Sequence, residues 1–530
     1  MANYYVDPIN GNASYDGTSP VYVSGTTGPK DTIAHAEALS LVAGDIVYLR
    51  SGVYREMITL AHSGGNLYTT GTVSVTAGSA IVTGLNTLWL ANAHVGGRFQ
   101  IPVVAHGTDG VTNGTATFTS ATGNFQASMV GLTIRINTKA AYVISAVASA
   151  TSITLINIDG STPAPSAGTG LTYDVGPLPP YTIRSVDSNT QITLTIPWGE
   201  PTLTGESYQT WQDIQYLGDY NGAIWAGGGV VRLTNSSDDR TVGSNAQIIL
   251  QSSTGRSYRT FTNIAFDTVT SVGKIFSTNS LTGVNWIIEN CTFNQSSTAA
   301  SYCIYANNAG NLNWTIRNCY FKLGSQVNAV YCGTTLNDNV AWSVLNCIVV
   351  GGNAILDCYR WGGAIVKNCF VFMSSYGAYV AGALTVGQAL TVKNNIFDSC
   401  INGVRCVNAN ELLEDYNNYF GSTSADRYLA LVGTHSLTYL VLQDLRWFFQ
   451  LVNSGSGPNS VLQVVTPFDL SPWSQLINVA GMNPTLPDMR GTLTQGAQRD
   501  WGPLEYDPTL KIQAGGGGGA AVSISPDLDL

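Results

Sequence analysis

The side chains that could do chemistry in this 530-residue chain form a column of aromatic and charged residues that recur every 22 to 29 positions. The column comprises Tyr302, Tyr331, Asp357, Tyr379 and Arg405, with Tyr359 and Arg360 beside Asp357. Tyrosine rings can pack on sugar rings, and a carboxylate can accept hydrogen bonds from sugar hydroxyls. The pattern therefore indicates either a glycan-binding surface or, because tyrosine also fills β surfaces and interfaces, a contact between subunits.

A catalytic interpretation of this column lacks a second acid. Glycoside hydrolysis uses two carboxyl groups, and no other acid accompanies Asp357 at the equivalent neighbouring positions. No histidine lies between Gly255 and Phe420, and the chain contains no DxDxDG loop, HExxH motif or Cys/His cluster. The sequence therefore assigns no catalytic residue, no metal and no other cofactor, and it leans away from an enzyme.

One short phrase recurs seven times between Phe261 and Phe420: an apolar β-rich run, an asparagine, and soon after it an aromatic residue or valine. The asparagines are Asn263, Asn290, Asn318, Asn346, Asn368, Asn394 and Asn417. Their spacing of 22 to 28 residues indicates a solenoid, and the abundance of Val, Ile, Thr and aromatic residues favours strands over helices. Because asparagine tolerates left-handed backbone, we expect a buried, hydrogen-bonded asparagine ladder at a bend in each coil.

A second ladder lies 12 to 14 residues after the asparagines and comprises Cys303, Cys332, Cys358, Val380 and Cys406. Two ladders in step predict an all-β fold, a right-handed parallel β-helix, over a β-sandwich or propeller with coincidental spacing. All nine cysteines lie between Cys291 and Cys406, mostly at ladder positions. An odd count without a CxxC motif favours reduced core thiols over disulfides or a metal site.

The position just before each asparagine is predicted to point outward. Glu289 and Arg317 occupy it in successive coils, followed by Leu345, Lys367 and Lys393. Adjacent coils lie about 4.8 Å apart, so Glu289 and Arg317 can pair. We interpret this column as a solvated ladder in preference to a Lys/Arg lyase centre, because no acidic metal site accompanies it.

Two related modules precede the main repeats. Residues 142–155 match residues 181–194 in frame, and residues 71–101 pair with residues 114–136. The order front, front, back, back predicts one small β-barrel or sandwich nested inside another. The resulting domain boundaries are 1–70 for a cap and first coil, 71–204 for the nested modules, 205–430 for the main β-helix, 431–510 for a C-terminal helix and closing segment, and 511–530 for a glycine-rich linker with a docking peptide.

The C-terminal region carries two separate expectations. Leucines and phenylalanines at helical spacing predict a helix over residues 436–450 that closes the open end of the solenoid. Gly515 to Gly519 form a flexible linker, after which residues 520–526 either add as a strand to a sheet edge or stay disordered.

The opening of the chain, YYV through GDIVYL to GVYRE, and its ending, with DLSPW, INVAG and DMRG, resemble those of the pectate-lyase-like β-helix superfamily. The resemblance covers about 50 residues at the start and some 40 at the end. It implies the solenoid fold and leaves the chemistry open. The "GT-V-T-G" modules look like those in bacteriophage virion proteins.

The composition limits the partners. A net charge of −10 and a pI near 4.9 argue against nucleic acid. No signal-peptide pattern opens the chain, and no apolar run approaches 18 residues, so we expect synthesis in a host cytoplasm without membrane insertion.

These features favour a structural protein of a tailed bacteriophage virion, either a capsid-decorating or spike protein or a tail appendage. We expect it to contact other virion proteins and to form a homo-oligomer, with a trimer favoured, and to bind a host-surface glycan. The alternatives are a tailspike depolymerase that cleaves host polysaccharide and a bacterial carbohydrate-binding β-helix protein.

Overall fold

The computed structural model describes most of the chain as far as residue 406 and short segments beyond it. The described residues are 2–136, 141–156, 162–176, 178, 180–218, 231–234, 249–251, 256–268, 274–277, 283–295, 300–306, 313–332, 342–358, 364–380, 390–393, 395–398, 400–406, 412–415, 418–420, 425–428, 445–452, 461–463, 468–470 and 522–523.

The chain begins with a cap and one coil. Its elements are β1 (Asn3–Val6), α1 (Ile33–Glu37), β2 (Ile46–Leu49), β3 (Gly52–Arg55) and β4 (Ile58–Leu60). Helix α1 begins where the Thr32 side chain accepts a hydrogen bond from the His35 N–H. Glu37 at the end of the helix is buried and forms an ion pair with buried Arg259, whose Nη1 lies 2.8 Å from Glu37 Oε1. This ion pair holds the helix against the interior of the solenoid.

The nested insertion follows directly after the first coil. Its elements are β5 (Gly65–Tyr68), β6 (Thr72–Val75), β7 (Ile81–Leu85), α2 (Trp89–Asn92), β8 (Arg98–Gln100), β9 (Ala105–Thr112), β10 (Thr117–Thr119), a 3-10 turn at Ala127–Met129, β11 (Thr133–Ile136), β12 (Ala141–Ser149), β13 (Ser152–Ile156), β14 (Gly168–Val175), β15 (Tyr181–Ser188), β16 (Gln191–Leu194), β17 (Leu203–Glu206) and β18 (Gln209–Gln212).

Strands β9 to β14 close into a barrel, and the strands before and after them form one eight-stranded sheet. The barrel therefore interrupts the outer module between β8 and β15, which is the nested order that the sequence repeats predict. Entry strand β5 pairs with exit strand β18, so the two ends of the insertion lie side by side.

The remaining coils run from β19 to β42. Their strands are β19 (Ile214–Gly218), β20 (Val231–Thr234), β21 (Ile249–Gln251), β22 (Arg259–Thr262), β23 (Ile264–Thr268), β24 (Lys274–Ser277), β25 (Trp286–Glu289), β26 (Thr292–Gln295), β27 (Ser301–Ala306), β28 (Thr315–Arg317), β29 (Tyr320–Leu323), β30 (Val327–Cys332), β31 (Ser343–Leu345), β32 (Ile348–Gly351), β33 (Ala354–Cys358), β34 (Ile365–Lys367), β35 (Phe370–Phe372), β36 (Tyr376–Val380), β37 (Leu390–Lys393), β38 (Ile396–Asp398), β39 (Asn402–Cys406), β40 (Leu412–Asp415), β41 (Asn418–Phe420) and β42 (Ala425–Tyr428).

These strands form three parallel sheets, each of which gains one strand per coil. The first sheet has ten strands from β1 to β40, the second has nine from β3 to β41, and the third has nine from β4 to β42. Successive coils pair in parallel throughout, as in Phe293 with Phe321 and Ile288 with Ile316. The fold is a parallel β-helix, as the spacing of the repeats predicts.

Stacked side chains fill the interior of the coils. Trp286, Trp314 and Trp342 are fully buried, with ring centroids 4.4 and 4.6 Å apart. Each tryptophan lies four residues before a ladder asparagine, a signal present in the sequence that the strand pattern alone did not bring out. The indole N–H groups of Trp286 and Trp314 donate to backbone carbonyls 2.7 Å away, so these rings are hydrogen-bonded as well as packed.

The first five ladder asparagines turn the chain from the first sheet into the second. Their φ angles lie between 53° and 58°, the left-handed conformation that asparagine tolerates. The side-chain amides of Asn318, Asn346 and Asn368 each donate to the preceding asparagine at 3.2 to 3.3 Å. Asn346 and Asn368 are buried, but Asn263 and Asn290 are exposed, so the expectation of burial fails at the start of the ladder. Asn394 and Asn417 lie outside the described residues.

The cysteine ladder has a different register from the predicted one. Cys332, Cys358, Val380 and Cys406 are aligned, but the residue paired with Cys332 in the preceding coil is Ala306 and not Cys303. Cys303 is instead the first of two buried residues at a bend of its strand: Ile304 pairs with Val330, so Cys303 corresponds to Ala329 of the next coil, three positions before Cys332. Six cysteines, namely Cys291, Cys303, Cys319, Cys347, Cys369 and Cys400, are buried free thiols.

The C-terminal segments contradict one expectation. Residues of β43 (Leu445–Val452) form a strand, paired with β44 (Val461–Gln463), β45 (Phe468–Leu470) and β46 (Val522–Ser523). The helix predicted over residues 436–450 is therefore wrong for its last six positions, where the aromatic run Trp447-Phe448-Phe449 favours a strand. The first part of that helix lies outside the described residues. Val522 and Ser523 of the tail pair with Phe449 and Phe448 of the same chain.

Candidate functional site

Aromatic side chains flank the bend in the third sheet. In each of β27, β30, β33 and β36 two consecutive residues, such as Cys303 and Ile304, are buried at a bend of the strand, and in β27 and β36 the residues on either side of them are partly exposed. Tyr302 and Tyr305 flank the bend in β27, and Tyr376 and Tyr379 flank it in β36. The bend therefore brings together side chains that lie three positions apart in sequence.

The five tyrosines Tyr302, Tyr305, Tyr331, Tyr376 and Tyr379 are called the tyrosine surface below. All five are half-buried. Tyr305 and Tyr331 stack with ring centroids 5.2 Å apart, and Tyr302 lies 4.5 Å from Tyr331. At the other side, the rings of Tyr376 and Tyr379 lie 4.8 Å apart. The stacking holds these rings in place and leaves a preformed aromatic face.

A cation already lies on this face. The ammonium Nζ of Lys274 is 3.4 Å from the centroid of the Tyr305 ring, which is a cation–π contact. Burial lowers the pKa of Lys274.

Between the two groups of tyrosines the side chains become small and polar. Tyr331 is followed along the sheet by Asp357 and then by Tyr379, and Tyr302 is followed by Asn328 and then by Ala354. The methyl group of Ala354 and the carboxyl group of Asp357 thus occupy the coil between two coils that carry tyrosines. Asn328, Ala354 and Asp357 form the floor of a notch whose walls are Tyr331 and Tyr379, two strand spacings or about 10 Å apart.

Asp357 is the acidic group of the notch. It is 9% exposed, and its Oδ2 accepts a hydrogen bond of 2.9 Å from Asn328 Nδ2. Asn328 Oδ1 in turn accepts from Asn353 Nδ2 at 2.9 Å, which fixes the orientation of the Asn328 amide. Burial raises the pKa of Asp357 to about 6, although the hydrogen bond from Asn328 lowers it in part.

The structure brings together only some of the residues that the sequence singled out. Tyr331, Asp357, Tyr379 and Arg405 are in register across successive strands. Tyr302 is one column away, because Tyr305 is the register partner of Tyr331. Tyr302 nevertheless contacts Tyr331, so it belongs to the same surface. Tyr359 and Arg360 lie outside the described residues.

Sequence reasoning missed Lys274, Tyr305, Asn328 and Tyr376. Tyr305 and Tyr376 each lie three residues from a tyrosine that was identified, and this pairing across a bend is the signal that could have revealed them.

Glu289 and Arg317 lie at a different place and are not a solvated ladder. Arg317 Nε donates to Glu289 Oε2 at 2.7 Å, and each side chain is only 14% exposed. Arg98 of the inserted module approaches the same carboxylate, with Nη2 3.6 Å from Glu289 Oε1. The expectation of solvent exposure is wrong because the insertion covers this part of the first sheet.

Arg98 is also the main anchor of the insertion. Its Nε lies 2.8 Å from Asp213 Oδ2, and its Nη2 donates to Thr260 Oγ1 at 3.1 Å. Arg98 and Asp213 are buried. Burial alone would raise the pKa of Glu289, but Arg317 and Arg98 outweigh this effect and hold the pKa at about 2. The network is therefore a structural junction between the module and the coils.

Among the residues that the structure describes, no group of three or more His, Cys, Asp and Glu side chains could hold a metal ion. None of their helices is long and apolar enough to span a membrane.

Comparison with known proteins yields only distant structural similarity. No family model matches the sequence, and no curated protein matches it. A rhamnogalacturonan lyase structure is 12% identical, with 89% of this chain and 97% of that chain covered and a TM-score of 0.38. The pectate lyase Pel9A is 11% identical, with 96% and 97% covered and a TM-score of 0.37. The tailspike protein gp49 from Pseudomonas phage LKA1 is 11% identical, with 75% and 66% covered and a TM-score of 0.23. At these values the similarity carries no argument, and the fold assignment rests on the strand register described above.

Proposed function

We propose that this protein is an attachment protein of a tailed bacteriophage particle and that it binds a host-surface glycan through the tyrosine surface. The observation that carries the glycan-binding part is the preformed face of stacked, half-buried tyrosines with a hydrogen-bonded carboxyl and amide between them. Aromatic rings bind the apolar faces of sugars, while the polar groups bind hydroxyls and fix the orientation.

The solenoid suits attachment in two further ways. Its three continuous sheets make a stiff scaffold, on which three of the four successive coils from β27 to β36 carry tyrosines and adjacent coils lie about 4.8 Å apart. A linear polymer can follow such a row along the coils. The assignment to a bacteriophage particle is supported by the inserted modules, because they resemble modules of virion proteins.

Glycan binding is tested by an array of bacterial surface polysaccharides, followed by calorimetry with the glycans that bind. Tyr331→Ala should weaken binding about tenfold, because it removes the ring that contacts both Tyr302 and Tyr305. Tyr331→Phe keeps the ring and should retain most of the affinity. Tyr22→Ala is the matched control, because Tyr22 is an exposed tyrosine of the N-terminal cap region that also stacks on another tyrosine.

If the array shows no glycan, or if Tyr331→Ala binds as tightly as wild type, the tyrosine surface is not a glycan site. The virion part of the proposal is tested separately by mass spectrometry of purified particles from a lysate that contains this chain. Its absence from all particles would overturn that part.

The alternative function is a depolymerase that cleaves the bound polysaccharide. Asp357 favours it, because a carboxyl group with a pKa of about 6 can serve as a general acid near neutral pH. No second carboxyl group accompanies it among the described residues of the notch, and this is why we prefer binding. Incubation with the bound polysaccharide, followed by measurement of chain length, decides between the two. Cleavage by wild type and none by Asp357→Ala would establish the enzyme.

A further inference from the structure

Asp357 is a buried carboxylate, and the side chains that the structure describes provide no cationic partner for it. Its hydrogen-bond partner is the neutral amide of Asn328, and no lysine or arginine whose side chain is described forms an ion pair with it. A carboxylate that is removed from water without a counter-charge is destabilised in its ionised form. The raised pKa of Asp357 has this cause. A cation supplied by a ligand would relieve this cost.

The walls of the notch favour a cation as well. Tyr331 and Tyr379 are the register partners of Asp357 on the two sides, and Tyr302 is close enough for the Asp357 charge to raise the pKa of its hydroxyl. The faces of aromatic rings attract ammonium groups. Lys274 on the Tyr305 ring shows that the same surface accommodates an ammonium group at contact distance.

The centre of the notch carries the smallest side chain of its column, Ala354, and Asp357 beside it keeps 9% of its surface exposed. Ala354 contributes only a methyl group where the flanking coil carries Tyr376, whose N–H donates to the Asn353 carbonyl beside Ala354. Asp357 Oδ2 is engaged by Asn328, which leaves Oδ1 as the acceptor for a ligand. An ammonium group with three N–H donors can bind that oxygen while it contacts the tyrosine rings.

We propose that the notch binds an ammonium group, so that the glycan recognised by the tyrosine surface carries amino sugars with free amino groups. This inference rests on the proposed glycan binding and names its substrate class. Neutral and acetylated sugars can stack on the tyrosines, but they leave Asp357 without a counter-charge. Anionic sugars bring a second negative charge to a surface of an already acidic protein.

The test compares oligomers of glucosamine with oligomers of N-acetylglucosamine of equal length, by calorimetry at neutral pH. Wild type should bind the free-amine oligomer about tenfold more tightly, since carboxylate and aromatic contacts with an ammonium group together are worth about that factor. Asp357→Asn keeps the shape of the notch and should abolish the preference. Asp267→Asn is the matched control, because Asp267 is a partly buried acid of the second sheet that is paired with Arg232.

Arg360 lies three positions from Asp357 in sequence, so Arg360→Gln is included. Its preference for the free amine should equal that of wild type, and a stronger preference would mean that Arg360 already neutralises Asp357, which overturns the inference. Equal binding of the two oligomers to wild type would overturn it too. If wild type binds the two oligomers equally and Tyr331→Ala binds neither, the tyrosine surface is still a glycan-binding site, and only the preference for amino sugars is refuted. Binding of neither oligomer would count against the amino-sugar class, while the array described above decides the function separately.

Discussion

Replacement of Asp357 by asparagine should stabilise the protein at neutral pH and have much less effect in acid. Asparagine has the same shape, and its side-chain oxygen can still accept the hydrogen bond from Asn328 that is 2.9 Å long in the native protein. The change removes the one property that the notch does not accommodate, which is the negative charge. The perturbation therefore isolates the free energy of ionising a buried carboxyl group.

The magnitude follows from the pKa. Burial raises the pKa of Asp357 from 3.8 to about 6, and each pKa unit corresponds to about 1.36 kcal/mol, so the ionised form costs about 3 kcal/mol. Below pH 3.8 the group is protonated in both the folded and the unfolded state, and its charge has no effect. Between 3.8 and about 6 the unfolded state ionises first, so the stability of wild type falls as pH rises. Above about 6 the full cost is present.

The assay is denaturant unfolding of wild type and Asp357→Asn over this pH range. The difference in unfolding free energy should grow in favour of the variant by about 3 kcal/mol between the acid and the neutral end. A constant difference at all pH values, or a variant that becomes relatively less stable as pH rises, would refute the account. Either result would mean that Asp357 has a counter-charge in the folded protein.

Three further predictions concern the scaffold. Glu289→Gln should have the opposite pH dependence: because the pKa of Glu289 is about 2, the variant should lose about 3 kcal/mol at neutral pH, and unfolding curves should show the loss shrink as pH falls from 4.5 towards 2. Asn346→Ala should cost about 1 to 3 kcal/mol because it breaks the buried side-chain ladder, whereas exposed Asn263→Ala should cost clearly less in the same assay. Replacement of residues 65–211 by a Gly/Ser linker should give a poorly folded chain, because Asp213 and Glu289 lose their contacts with Arg98. Circular dichroism and size-exclusion chromatography should show that adding Asp213→Asn to this deletion restores folding. If the deletion variant folds fully with Asp213 unchanged, the junction is dispensable.

The sequence predicts the architecture well where one residue per coil determines the bend. Asn318 and Asn346 adopt the left-handed conformation that their side chains tolerate, and the phenylalanine three positions after Asn290 and Asn318 stacks inside the second sheet. The inserted modules can also be predicted, because the two modules share similar sequences. These features are local or repeated, so a single sequence contains them.

The features that the sequence does not reveal depend on breaks in the alternation of inward and outward residues, and on contacts between residues far apart in the chain. Cys303 lies at the bend and Ala306 at the ladder position, so a ladder drawn through Cys303 places Tyr302 in the column that Tyr305 occupies. The contact of Arg98 with Asp213 joins residues 115 positions apart, and nothing in the sequence pairs them. For the same reason the sequence predicts that Glu289 is solvated, although Arg98 of the inserted module approaches its carboxylate.

The most direct test of the central claim is a high-resolution structure of the protein with a glycan that binds on the array. We expect sugar density to follow the third sheet, with one sugar residue over Asp357 between Tyr331 and Tyr379 and a ligand donor within hydrogen-bond distance of Asp357 Oδ1. Density on the first or second sheet or on the inserted modules, with the tyrosine surface left uncovered, would contradict it.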